Sequence, residues 1–115
     1  MLFIEYPRCT TCIKAKRYLE SKNLSFIDRD IKSNNPTLEE LKSFHKLSNL
    51  PLKKLFNTSG LLYKEYDLKN KLDTMTDEEK YNLLASNGML VKRPILVLDN
   101  ITLFGFKQDE WDKYL

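Results

Sequence analysis

The sequence predicts a single α/β domain, and three observations support this prediction. Hydrophobic residues make up 42% and charged residues 30% of the 115 positions, which is the composition of a globular protein. Segments typical of strands lie near both ends of the chain, and the segments between them have helical periodicity. No repeat, low-complexity tract or long linker divides the chain, so we predict one domain over residues 1–115.

The first thirty residues predict a β-α-β unit. Leu2 to Tyr6 is mostly apolar and aromatic, as expected of a strand, and Thr10 to Lys22 has the periodicity of a helix. Leu24 to Ile31 predicts a second strand, with Phe26, and Ile27 as a further candidate, directed inward. Because a helix connects the two strands, we expect them to pair in parallel.

The middle of the chain predicts helices. Thr37 and Glu40 have the spacing of a capping box, and an apolar stripe follows them up to about Leu50. Further helical segments are predicted at Leu52–Phe56, Tyr63–Leu72 and Thr76–Ser86. We therefore assign residues 33–88 to a helical insert within the domain.

Strand character returns near the C-terminus. Pro94 to Leu98 is strongly apolar, Asp99-Asn100 is a turn signal, and Ile101 to Phe104 follows as the hairpin partner. Lys107 to Leu115 predicts a final amphipathic helix, with Trp111, Tyr114 and Leu115 on its apolar face. Without the insert, the order of elements is β-α-β … β-β-α. This order predicts a thioredoxin-like core that carries a helical insert.

The two cysteines of the chain, Cys9 and Cys12, lie where the first strand meets the first helix. A pair at this spacing is unsuited to stabilising a secreted domain, and it predicts a working dithiol in a reducing, cytoplasmic compartment. Cys9 precedes the helix, where free N–H groups and the helix dipole favour a thiolate. Cys12 lies on the core face of the first turn. We predict that Cys9 attacks the substrate and that Cys12 resolves the mixed disulfide.

Two other interpretations of the cysteine pair stay open at this point. The thiols could be ordinary residues, one of them packed in the core, or they could ligate zinc. Structural zinc usually takes four ligands, whereas this chain offers two cysteines and His45. We interpret His45 as a surface or packing residue of the insert, and we predict neither a metal site nor a bound cofactor.

The charge pattern argues against nucleic acid and membranes as partners. The 19 Lys and Arg and the 16 Asp and Glu give a net charge of +3, and the two signs alternate along the chain. No apolar run approaches the roughly 20 residues of a membrane span, and the N-terminus lacks the features of a signal peptide. We expect a monomeric protein.

Four segments carry a family signature. They are Tyr-Pro-Arg-Cys-Thr-Thr-Cys-Ile-Lys-Ala at 6–15, Leu-Phe-Asn-Thr-Ser-Gly at 55–60, Leu-Val-Lys-Arg-Pro-Ile at 90–95 and Gly-Phe-Lys at 105–107. Together they resemble the arsenate-reductase-like family, a group of thioredoxin fold that also includes the Spx-type transcription regulators. The resemblance covers nearly the whole chain. It is greatest with a bacterial branch that has a Cys-x-x-Cys motif.

The resemblance implies roles for several residues. Cys9 occupies the family's nucleophile position, and Pro94 is expected to be cis and to face it. Arg93 is expected to stabilise the thiolate and to hold an oxyanion or a carboxylate. Further candidates for anion binding are Arg8, Thr10, Thr11, Asn57, Thr58 and Ser59. For the loop at 57–60, the capping of a helix is an equal alternative.

The sequence also departs from the family members that reduce arsenate. Those members hold the oxyanion with three arginines, whereas Asn57 and Gly105 stand at or near two of these positions. Their histidine four residues before the nucleophile is Glu5 here. They also lack a cysteine at the position of Cys12, and they complete their cycle with glutathione and glutaredoxin. These departures favour a small thiol or a protein disulfide over arsenate as the substrate.

Three functions therefore compete. The favoured one is a thiol–disulfide oxidoreductase, with glutathione, glutaredoxin or thioredoxin as electron donor. Glutaredoxin-dependent arsenate reduction is the first alternative. The second is a redox-sensing regulator that binds RNA polymerase, as Spx-type proteins do. This alternative is less favoured because the segment from Leu50 to Leu62 does not look like the regulators' version.

Overall fold

A four-stranded mixed sheet lies at the centre of the computed structural model, which describes residues 1–115. The strands are β1 (Leu2–Glu5), β2 (Ile27–Asp30), β3 (Ile95–Val97) and β4 (Thr102–Phe104). They lie in the order β2-β1-β3-β4. Strands β1 and β2 are parallel, whereas β3 is antiparallel to both β1 and β4. The predicted β-α-β unit, the C-terminal hairpin and the thioredoxin-like core are confirmed.

Six α-helices accompany the sheet. They are α1 (Thr10–Ser21), α2 (Leu38–Ser48), α3 (Leu61–Glu65), α4 (Leu68–Lys71), α5 (Asp77–Ser86) and α6 (Gln108–Asp112). Short 3-10 helices span Leu52–Leu55, Leu72–Thr74 and Gly88–Leu90. None of the helices has the length and apolar character that crossing a membrane requires.

The sheet separates two hydrophobic clusters because successive side chains of a strand point to opposite faces. On one face, Phe3, Leu96 and Leu103 are neighbours across three strands, and they pack with Trp111 of α6. On the other face, Ile4 belongs to a larger cluster of 14 buried residues, most of them from the helices between β2 and β3. The end of β1 is therefore supported by packed side chains on both sides.

Both long helices between β2 and β3 begin with a capping box. The hydroxyl oxygen of Thr37 accepts a hydrogen bond from the Glu40 N–H, and the Thr37 N–H donates to the Glu40 carboxylate; Thr76 and Glu79 repeat this arrangement. Glu40 also forms a bidentate pair with Arg29 of β2, at 2.7 and 2.9 Å. This hydrogen-bonded pair lowers the pKa of Glu40 to about 2 and joins α2 to the edge of the sheet.

The second strand is shorter than predicted. It begins at Ile27 rather than at Leu24, and Phe26 precedes it and packs against Phe3. The prediction that Ile27 also points inward is wrong, because this residue is 69% exposed. Side chains alternate along the strand, so Ile27 points to the opposite face from Phe26. Because β2 is an edge strand, the cluster on that face does not extend over Ile27.

Two helices also differ from the prediction. The segment predicted as one helix over Tyr63–Leu72 forms α3 and α4, because Asp67 between them adopts a left-handed backbone with φ of 50°. The final helix ends at Asp112, and Tyr114, expected on its apolar face, is 48% exposed. Local periodicity indicated where these helices lie but not where they end.

Candidate active site

Cys9 lies at the N-cap of α1, directly after the turn that follows β1. Its N–H donates a hydrogen bond to the Tyr6 carbonyl oxygen at 3.0 Å, and its own carbonyl oxygen accepts one from the Ile13 N–H at 3.0 Å. No side chain caps the start of α1. The free N–H groups of this first turn therefore favour a negative charge on the Cys9 sulfur.

The pKa values of the two free thiols are shifted in opposite directions. Burial alone would raise the pKa of Cys9, but interactions with the backbone N–H and the thiol of Cys12, and attraction to the Arg93 guanidinium, outweigh it. The pKa of Cys9 therefore lies below its usual value. Cys12 has no exposed surface, and burial, aided by the neighbouring Cys9, raises its pKa to about 12. Cys9 is therefore the thiol that more readily carries a negative charge at neutral pH.

Arg93 lies beside Cys9 without a carboxylate partner. One terminal nitrogen of its guanidinium donates a hydrogen bond to the Met89 carbonyl oxygen at 3.3 Å, and its central carbon lies 5.4 Å from the centroid of the Tyr6 ring. Its Nε is buried and has no acceptor in the protein. The peptide bond to Pro94 is cis, as the resemblance implied. The guanidinium is thus fixed in place but keeps donors for a ligand.

A short β-bridge brings the loop at 57–60 close to the cysteines. Phe56 pairs with Val91 in antiparallel fashion, and the Asn57 N–H donates a hydrogen bond to the Leu90 carbonyl oxygen at 2.8 Å. The loop is therefore joined to the segment that carries Arg93.

A cavity of about 440 Å³ opens between these segments. Of the predicted site residues, it is lined by Cys9, Arg93, Thr11, Asn57, Thr58 and Ser59. Arg8 and Thr10 are exposed and do not line it. Thr10 and Thr11 differ in direction by about 100° around the helix, so only one of the two faces the cavity. The N-cap of α3 is Gly60, so no side chain of the loop caps that helix.

Nine further residues line the cavity, and four of them are lysines that were not among the predicted site residues: Lys53, Lys54, Lys92 and Lys107. The adjacent cations at 53–54 and 92–93 are visible in the sequence, but only the β-bridge brings them around one cavity. With Arg93, five cations line the cavity, and no Asp or Glu does.

No group of three or more His, Cys, Asp or Glu side chains is placed to hold a metal ion. His45, the third zinc ligand considered above, lies on α2. Its ring contacts the Tyr81 hydroxyl, and its Nε2 lies 2.7 Å from the Leu50 carbonyl oxygen. It therefore packs between helices, as one of the interpretations of this residue proposed.

Glu5 is almost fully buried at the end of β1, four residues before Cys9. Burial raises the pKa of Glu5 to about 7, and the nearby carboxylate of Asp28 adds to this effect. Burial would raise the pKa of Asp28 as well, but the hydrogen bond with Glu5 and the attraction of Lys16 lower it. Lys16 of α1 lies 2.7 Å from Asp28 and 3.6 Å from Glu5. A proton is therefore held on Glu5 rather than on Asp28, and it is lost as the pH passes about 7.

The pKa of Glu5 predicts that the folded protein loses stability as the pH rises. Folding raises this pKa, so the contribution of Glu5 is complete below about pH 4.5 and is lost as the pH passes about 7. We expect the free energy of unfolding to fall by about 1–3 kcal/mol between pH 5 and pH 8. Glu5→Gln imitates the protonated acid and should remove this decrease. Urea unfolding at several pH values tests the prediction. It would be contradicted if the free energy of unfolding fell equally with pH in both proteins.

Comparison with known proteins extends the description of the fold and the site. The sequence profile of the ArsC family matches residues 4–114. The uncharacterised protein YusI of Bacillus subtilis is 43% identical over 113 residues, which cover 98% of this chain and 96% of YusI. The crystal structure of a protein related to the ArsC family from Bacteroides fragilis superposes with a TM-score of 0.96 at 54% identity, covering 99% of this chain and 96% of that one.

A regulator is also among the relatives. Global transcriptional regulator Spx 2 of Bacillus cereus is 30% identical over 107 residues, which cover 93% of this chain and 80% of the regulator. The match to the family profile includes both cysteines, the loop at 57–60 and the Arg93-Pro94 pair. By sequence and by fold, this chain belongs to the ArsC family, a family of thiol oxidoreductase-like proteins.

Proposed function

We propose that this protein is a thiol–disulfide oxidoreductase in which Cys9 attacks the substrate and Cys12 resolves the intermediate. The observation that supports the proposal is the asymmetry of the two thiols. Cys9 lines a cavity and has a lowered pKa, whereas Cys12 is fully buried and has a pKa of about 12. The attacking species in such reactions is the thiolate, so the accessible and more acidic thiol is expected to react first.

The first step forms a mixed disulfide. The Cys9 thiolate attacks one sulfur of the substrate disulfide, the substrate's S–S bond breaks, and a bond forms between Cys9 and the attacked sulfur. The other half of the substrate leaves as a thiolate and takes a proton from water. Arg93 and the free N–H groups at the start of α1 hold the charged sulfur ready before this attack.

The second step closes the internal disulfide. The negative charge of Cys9 contributes to the high pKa of Cys12, and the mixed disulfide removes that charge. The pKa of Cys12 is therefore expected to fall once Cys9 is bonded to substrate. Cys12 then attacks the Cys9 sulfur, and its proton goes to the departing second thiol. One substrate disulfide becomes two thiols, while the two cysteines become a disulfide.

The cycle needs a reductant that returns the Cys9–Cys12 disulfide to two thiols. Glutathione, glutaredoxin and thioredoxin are the candidates that we propose. The reduction potential of the pair discriminates among them, because a value of about −270 mV matches thioredoxin and one of about −200 mV matches glutaredoxins. The electrons reside on two sulfur atoms of the chain, so the cycle uses no bound cofactor.

Titration of Cys9 tests the proposal. The rate of its alkylation by iodoacetamide, followed by mass spectrometry against pH, should give a pKa below the free value of about 8.5. Arg93→Gln should raise this pKa, because the attraction of the guanidinium for the thiolate is lost. Arg17→Gln removes the same charge from an exposed position outside the cavity and is the matched control. A wild-type Cys9 that titrates at the free value, in a protein whose disulfide none of the three reductants reduces, would refute the proposal.

Arsenate reduction is the second candidate, and one observation favours it. Of the two arginines predicted to bind an anion, Arg93 lines the cavity and Arg8 does not, but four lysines line the same cavity. Arsenate reduction assayed with glutathione and glutaredoxin, compared with Cys9→Ser, measures this activity. Asn57→Arg should increase any activity found, because Asn57 lies on the cavity wall.

A regulatory role is favoured only by the similarity to regulators, Spx 2 among them. In that role the Cys9–Cys12 disulfide acts as a switch rather than as an intermediate of turnover. Binding of the oxidised and the reduced protein to the C-terminal domain of the RNA polymerase α-subunit decides the matter. Equal absence of binding by both forms removes this candidate.

A further inference from the structure

The charge of the cavity is unbalanced within the protein. Only four positively charged side chains form ion pairs within the protein: Lys16, Lys22, Arg29 and Lys42. None of these lines the cavity, and none of the five cavity cations forms an ion pair. The positive charge around Cys9 therefore remains for a ligand to neutralise.

Among the four cavity lysines, Lys92 has a side chain that lies against Gly105. Its backbone N–H donates a hydrogen bond to the Leu55 carbonyl oxygen at 2.7 Å, within the β-bridge region. Its side chain crosses the bare face of Gly105, where a Cβ would lie 2.9 Å from the Lys92 Cε. Gly105 is buried, has φ of 79° and also lines the cavity. The absence of a side chain at 105 thus leaves the space that the end of Lys92 occupies.

We propose that the substrates are small disulfides whose halves carry carboxylates, and that Lys92 is the residue that recognises this charge. The proposal rests on the proposed oxidoreductase function and adds a substrate class to it. A small ligand is favoured over a protein segment because Cys9 lines a cavity of about 440 Å³ and is itself half-buried. Anionic disulfides would otherwise be poor substrates, since the Cys9 thiolate repels them.

The chemistry is the exchange already described. The Cys9–sulfur bond replaces the S–S bond of the substrate, each half of the substrate leaves as a thiol, and the Cys9–Cys12 disulfide takes up the oxidising equivalents. The recognised carboxylates do not react. They pair with Lys92, and with the lysines at 53, 54 and 107, while the exchange takes place.

Three disulfides of matched length test the proposal: 3,3′-dithiodipropionate, 2-hydroxyethyl disulfide and cystamine, which are anionic, neutral and cationic. Stopped-flow measurement of the Trp111 fluorescence, with mass spectrometry of the product, gives the rate at which each oxidises the reduced protein. Each rate is divided by the rate of the same disulfide with 2-mercaptoethanol, which removes differences in intrinsic reactivity. At about 10 mM salt we expect the anionic disulfide to exceed the cationic one by about tenfold or more. At about 1 M salt the difference should nearly vanish.

Two variants assign the effect to the cavity. Lys92→Gln should lower the ratio of the anionic to the neutral rate by about threefold, which is typical of one exposed ion pair. Lys69→Gln removes the same charge from an exposed position outside the cavity and should leave that ratio at the wild-type value. An equal decrease of this ratio in both variants would show that the net charge of the protein, and not this site, is responsible, and would overturn the proposal.

The outcomes separate this proposal from the one on which it rests. If none of the three disulfides oxidises the Cys9–Cys12 pair, the oxidoreductase function is wrong. If the disulfides react but their rates do not depend on their charge, only the proposed substrate class is wrong. If a disulfide within an acidic peptide is preferred but the small anionic disulfide is not, the ligand is a protein segment and the small-molecule proposal is wrong.

Discussion

Replacing Cys9 by serine is expected to abolish disulfide reduction, with a loss of about a thousandfold or more. The reason is that the remaining thiol is unable to take over. Cys12 has no exposed surface and a pKa of about 12, so it neither meets the substrate nor ionises near neutral pH. The loss is measured as the rate of reduction of 2-hydroxyethyl disulfide by the reduced protein. Appreciable residual activity would mean that the assignment of the two thiols is wrong.

The matched variant, Cys12→Ser, is expected to fail at a later step. Its Cys9 should still attack, but nothing displaces the substrate half that remains attached. The mixed disulfide therefore accumulates, and mass spectrometry under non-reducing conditions should show one substrate half bound to each protein molecule. A Cys12→Ser variant that forms no adduct, or that turns over like the wild type, would contradict the proposed order of attack.

Replacing Gly88 by alanine is expected to destabilise the fold by about 3 kcal/mol or more. A Cβ at this position would lie 1.8 Å from the carbonyl oxygen of Ile31 and 2.7 Å from its carbonyl carbon. Both atoms belong to the backbone at the end of β2, so the clash is relieved only if one segment moves. Because Gly88 begins the 3-10 helix whose Met89 accepts the hydrogen bond from Arg93, this movement should also disturb the active site.

Gly60→Ala is the matched control for this effect. Its new Cβ would lie 2.6 Å from the side-chain nitrogen of Asn57, but that side chain is flexible and lies in a half-exposed loop. We expect it to cost less than about 1 kcal/mol. Urea unfolding of both variants compares the two losses, and a Gly88→Ala protein as stable as Gly60→Ala would show that the packing around Ile31 is not rigid.

The order of the strands along the chain could be predicted from the sequence because each strand has its own local signal. The apolar run at 94–98, the Asp99-Asn100 turn and the capping box of Thr37 and Glu40 depend on neighbouring residues alone, and the structure contains the hairpin and the cap that they predict. The side of β2 on which Ile27 lies depends instead on which face of an edge strand is covered. That is a tertiary property, and the local pattern did not contain it.

The residues of the site likewise differ in whether a local sequence pattern identifies them. Cys9, Cys12 and the Arg93-Pro94 pair were identified from their motifs. The lysines at 53, 54, 92 and 107 were not identified as site residues, because the Phe56–Val91 bridge and the pairing of β3 with β4 bring together segments that are distant in sequence. The use of Gly105 was equally hidden. The sequence shows that a side chain is missing there, but not that the end of Lys92 fills the space.

The complete burial of Cys12 has a kinetic consequence for the proposed cycle. A reductant that opens the Cys9–Cys12 disulfide has to attack the sulfur of Cys9, because the other sulfur has no exposed surface. The oxidising substrate and the reducing partner therefore enter by a single route and occupy it in turn. Steady-state kinetics should accordingly be of the ping-pong type, and each reactant at high concentration should inhibit competitively against the other.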